Sequence, residues 1–130
     1  MPYMQDPVRR TDRRMSGIQM LDDEARAELL CYLVVGQLVA RSCTGEWLRT
    51  DHLVESTRIW LAGSKRTLDP IDRVRVAQLS QKIAADLPDS PEVRDSRVLA
   101  RMFTSHWRLD SESALVHAIY GICVTRLKGR

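Results

Sequence analysis

The chain has 130 residues, 44% of them apolar and 28% charged, with a net charge of +3. That is the balance of a globular domain rather than a disordered segment, and a chain of this length buries a core without disulfide or metal staples. Aromatic residues make up only 5%, and six glycines with five prolines leave little material for the many turns of an all-β protein. The sequence therefore predicts an all-α fold. The expectation is a single compact bundle of about five helices over residues 17–130, behind a short extended basic N-terminal arm, residues 1–16.

The arm, MPYMQDPVRRTDRRMS, has no hydrophobic period and holds two prolines. Its four arginines, Arg9, Arg10, Arg13 and Arg14, outnumber two aspartates and are candidate arm contacts. Residues 111–130 set Arg126, Lys128 and Arg130 against Glu112, so the positive excess behind the pI of about 9.0 sits at the two ends. No apolar stretch follows the arm's arginines as a secretory leader requires. Cys31, Cys43 and Cys123 show no CxxC pairing and fall in apolar helical pattern, the usage of buried reduced thiols. A cytoplasmic location is expected from both observations.

Helix one is predicted from about Asp22 to Cys43. Asp22, Asp23 and Glu24 sit where the helix dipole favours negative charge, and Thr44-Gly45 closes the far end. Its apolar run LLCYLVVGQLVA, residues 29–40, suits a buried core helix and is too short for a membrane span. Helix two is expected over 47–62 with Gly63 as its stop. Helix three starts at Asp69-Pro70, an N-cap followed by proline at the first helical position, and runs to about Leu87. Its expected buried face is Ile71, Val74, Leu79, Ile83 and Leu87. Ser90-Pro91 repeats the device for helix four, predicted to reach Arg108. Helix five is expected from Asp110 or Ser111 to Leu127. No segment alternates as a strand does.

The search for chemistry returns little. His52, His106 and His117 fall on three different predicted helices. His52 and Glu55 are one turn apart, but there is no second histidine–carboxylate pair as a di-metal bundle site needs. The carboxylates Asp51 and Glu55 are not singled out as an acid–base pair by any motif. GSKRT at 63–67 lacks the upstream glycine and strand of a phosphate loop, and no dinucleotide fingerprint or nucleophile elbow occurs. No catalytic, cofactor-binding or metal-ligating residue is assigned, and no small-molecule substrate or membrane is indicated.

The sharpest feature is the spacing of Arg94, Arg97, Arg101 and Arg108. On a continuous helix these fall within an arc of roughly 60°, opposite Leu99, Met102, Phe103 and His106. Such a row can neutralise phosphates of a nucleic-acid backbone, meet an acidic protein surface, or simply face solvent. Helices one and five are apolar nearly all round and carry small residues in strips, Gly36 and Ala40 on one, Ala118 and Gly121 on the other. Glycine inside a helix costs about 1 kcal/mol against alanine, so close packing of the two helices at these residues is expected. Trp47, Ile59, Trp60 and Trp107 are the candidate apolar interface. The expected function is that of a small non-catalytic interaction protein, an adaptor, assembly or regulatory factor. It would bind a protein partner, a second copy in a homodimer included. The alternative is a nucleic-acid-associated protein that contacts the phosphate backbone through the arginine row and the basic arm.

Overall fold

The computed structural model describes residues 19–105 and 108–129. The arm, His106 and Trp107 lie outside the described residues. Five helices are found among the described residues: α1 (Asp23–Thr44), α2 (Thr50–Ser64), α3 (Pro70–Asp86), α4 (Ser96–Ala100) and α5 (Ala114–Lys128). Four very short strands accompany them: β1 (Gln19–Met20), β2 (Arg66–Thr67), β3 (Phe103–Ser105) and β4 (Arg108–Leu109). The protein is thus mostly helical, with two short strand pairings that the sequence pattern did not announce.

Helix α1 forms the centre, touching α2, α3, α4 and α5. Its start is fixed by Asp22, whose carboxylate accepts the Ala25 N–H at 2.8 Å. Its end is fixed by Gly45, which takes the left-handed conformation (φ 82°) and donates its N–H to the Arg41 carbonyl. Leu29, Leu30, Leu33, Val34, Val35 and Leu38 are all buried and surround the axis, so the run read as apolar all round is the core. By length and composition α1 contains a stretch long and apolar enough to cross a membrane. In this fold its apolar residues are covered by the other helices.

The loop after α1 is longer than the predicted tight link, and Trp47 lies in it rather than in helix two. A buried side chain wires this loop to the core. The Leu48 N–H donates to Gln37 Oε1 at 2.6 Å, and Gln37 Nε2 donates back to the Leu48 carbonyl. Helix α2 continues through Gly63 and stops at Lys65, whose left-handed backbone (φ 57°) provides the cap expected of the glycine. There β2 pairs in parallel with β1, in the register Gln19↔Arg66 and Met20↔Thr67.

Helix α3 begins as predicted, with Asp69 accepting the Ile71 N–H at 2.9 Å. Its buried face matches the expected one in part, with Ile83 buried and Leu79 and Leu87 half-buried against the core. Val76, Ala77, Ser80, Ile83 and Ala84 are buried, whereas Ile71 is 64% exposed and Val74 38%. A small-residue face of Ala and Ser lets α3 lie close against α1, and the two bulky residues of its first turn overhang solvent.

The predicted helix four is corrected most. Asp95, not Ser90, caps it, accepting the Arg97 N–H at 2.9 Å, and the helix lasts only five residues. Residues beyond it are aromatic or hydroxyl-bearing, types with weak helix preference. They form the antiparallel pair β3–β4, with Phe103 opposite Leu109. Phe103 meets Tyr32 of α1 edge-on, ring centroids 5.5 Å apart. Val93, Leu99 and Met102 anchor this wandering segment in the core.

Candidate functional site

The arginines of the predicted row do not share a face. Arg94 precedes α4 and forks onto Asp89, its Nε 2.7 Å from Asp89 Oδ1, which holds that carboxyl below its ordinary range. Arg97 is on α4 beside Asp95 at 3.6 Å. Arg101 caps the end of α4 and is exposed. Arg108 lies on β4, not on a helix. The row dissolves because it needed one unbroken helix from 94 to 108, and that helix is absent.

The strips of small residues fare similarly. Helices α1 and α5 do pack together, but at Cys31, Val116 and Cys123: the Cys31 thiol donates to the Val116 carbonyl at 3.7 Å. A methyl group built at Gly36 or Gly121 would meet nothing within 4 Å, so neither glycine marks a close approach. Ala118 and Gly121 are exposed on α5, and Ala40 is half-buried. Cys43, expected to be buried, is exposed.

Of the candidate apolar interface, Trp47 is 38% exposed and its ring lies under the Arg41 guanidinium, 4.5 Å from the centroid. Ile59 is exposed to the same degree, and Trp60 is buried at 4%. The local pairs around His52 are occupied by arginine: Asp51 holds Arg49 at 3.0 Å, and Glu55 holds Arg58 with Nε at 3.1 Å. Each arginine holds its carboxyl below the ordinary range.

Trp60 is where the structure departs most usefully from the sequence. Its ring lines a groove of about 500 Å³ between α1, α2, α5 and the β4 segment. From α1 come Glu24, Glu28 and Tyr32, one residue per turn along a single row, with Cys31 beside them. Val116, His117 and Tyr120 come from α5, Trp60 and Ser64 from α2, Arg108 and Leu109 from β4, and Ser111 from the following loop. The floor is apolar and buried at Cys31, Trp60 and Val116, while the rim residues Glu24, Glu28, Arg108 and His117 are exposed.

The Ser64 hydroxyl and the His117 imidazole of the groove already have partners. Ser64 donates to the Leu61 carbonyl at 3.3 Å. His117 Nε2 hydrogen-bonds the Ser111 carbonyl, which accepts only, so this nitrogen carries the proton. Burial, and then the charge of Glu24, push the Glu28 carboxyl up, and Arg66 and Arg108 oppose this. Burial also raises Tyr32 and Tyr120, with Glu24 and Glu28 adding to the effect at Tyr120. Among the described residues, no three His, Cys, Asp or Glu side chains cluster as a metal site requires.

The row Glu24–Glu28–Tyr32 was legible as an i, i+4, i+8 pattern, but its acids were read only as complements to the helix dipole. No known protein family matches the sequence, no curated protein is similar to it, and no solved structure resembles the fold.

Proposed function

We propose that the protein is a non-catalytic interaction domain that binds another protein through the groove between α1, α2 and α5. The observation that carries this reading is the composition of the groove, an aromatic and apolar floor inside a charged, solvent-exposed rim. Interfaces place aromatic anchors in desolvated pockets surrounded by polar residues, and Trp60, Tyr32 and Tyr120 supply that centre. Small-ligand pockets instead enclose most of their ligand, whereas this groove is open along its rim. Ser64 and His117 are engaged with backbone carbonyls rather than with one another, which suits recognition better than nucleophilic chemistry.

Site-specific photo-cross-linking tests the reading. A photoreactive phenylalanine replaces either Tyr120, in the groove, or Gln78, on the exposed side of α3, in cells producing the full chain. A protein adduct from position 120 and none from position 78, reproduced with the purified pair, is the expected outcome. Adducts at position 78 alone, or nucleic acid as the species bound at 120, would contradict it.

A further inference from the structure

The occupant of the groove has a chemistry of its own, and the inference drawn here rests on the groove being the docking surface. We propose that it receives a cationic side chain, arginine or lysine, from a basic segment of the partner protein. Glu24 and Glu28 stand one turn apart on the groove side of α1, a like-charge spacing that destabilises a helix by a few tenths of a kcal/mol. Asp51, Glu55, Asp72 and Asp89 each hold an arginine, whereas Glu24 and Glu28, unpaired among the described residues, are two acids that face the same aromatic groove. Among the described residues, no cation lies within 4 Å of Glu24 or Glu28, and neither carboxylate takes part in a hydrogen bond.

Arg108 shares the lining and Arg66 lies near enough to act on Glu28, so the groove is not purely acidic. Its lining still holds two carboxylates against one guanidinium. Beyond the acids lie Tyr32, Tyr120 and Trp60, surfaces on which the apolar stem of an arginine or lysine packs and over which its charge is attracted. A guanidinium fits best, because its fork matches two carboxylate groups at once.

The test is isothermal titration calorimetry on the purified full chain. The probe is a short synthetic peptide alternating arginine and leucine, compared with the same peptide carrying glutamate for arginine. The arginine peptide should bind in the micromolar range and the glutamate peptide should not, and the double variant Glu24→Gln/Glu28→Gln should weaken binding by about tenfold or more. Asp72→Asn, on the far side of the molecule in α3, serves as a control and should leave the affinity unchanged. Binding of the double variant within about a factor of two of wild type would overturn the cationic occupant, as would equal binding of the two peptides. Cross-linking from position 120 separates the two levels. A partner still captured at full yield by Glu24→Gln/Glu28→Gln leaves the groove as docking surface and overturns the cation. No capture at position 120 even in the wild-type background overturns the docking surface itself.

Discussion

The three cysteines show how far one residue type diverges with its surroundings. Cys31 and Cys123 are buried where α1 meets α5, and the neighbouring Cys123 thiol, then burial, push the Cys31 thiol up. A thiol without access to its thiolate is a poor nucleophile. Cys43 is exposed near the end of α1. In native protein a soluble disulfide reagent should therefore titrate one thiol, at Cys43, and the remaining two only after unfolding. Three equally fast thiols would show that the α1–α5 contact is wrong. All three residues sit in similar apolar pattern, so the sequence offered no means of separating them. The distinction arises because Cys43 lies in the last turn of α1, where residues 43–47 are all exposed.

At the scale of elements, helix type and the starts of α1 and α3 were readable because local chemistry decides them: Asp22 before α1 and Asp69-Pro70 before α3 act where they were expected. The buried faces and the length of helix four were not, because tertiary contacts decide those. Helix α3 offers two overlapping apolar arcs, and the buried one joins Val76, Ala77, Ser80 and Ala84 to Ile83 while Ile71 and Val74 stay exposed. Substitution separates the arcs. Val76→Ala, at a buried residue outside the face read from sequence, should cost about 1–3 kcal/mol by denaturant unfolding, while Ile71→Ala should stay within about 0.5 kcal/mol of wild type. The reverse ranking would restore the face read from sequence. Gly121 lies exposed inside α5 with open space where a Cβ would stand. Gly121→Ala is thus expected to stabilise the protein by about 0.5–1 kcal/mol, whereas a destabilised variant would mean that a neighbour packs there after all. The arginine row failed for a related reason. Its spacing had meaning only on a continuous helix, and Asp95 with the β3–β4 pair breaks that continuity.

For the whole molecule, the groove is a product of assembly, since its walls come from residues as far apart in sequence as Glu24 and Tyr120. Its electrostatics have a consequence for stability. The folded-state pKa of Glu28 lies above its ordinary value of 4.5, mainly through burial and then through Glu24 and Asp22, against the pull of Arg66 and Arg108. A raised carboxyl favours folding while it is protonated, and that contribution is lost as pH rises through the folded-state pKa. Glu28→Gln should therefore match wild type in acid and gain relative stability as pH climbs from 4.5, levelling off above the folded-state pKa. Denaturant midpoints across this range are the measurement, and a relative gain that shrinks with rising pH would place Glu28 in a different environment. The groove's role is tested most directly by amide NMR spectra of the labelled full chain titrated with the arginine–leucine peptide. Shift changes should concentrate on Glu28, Tyr32, Val116 and Tyr120. Changes centred on Arg94, Arg97 and Arg101, or on Ile71 and Val74, would contradict the groove as the binding surface.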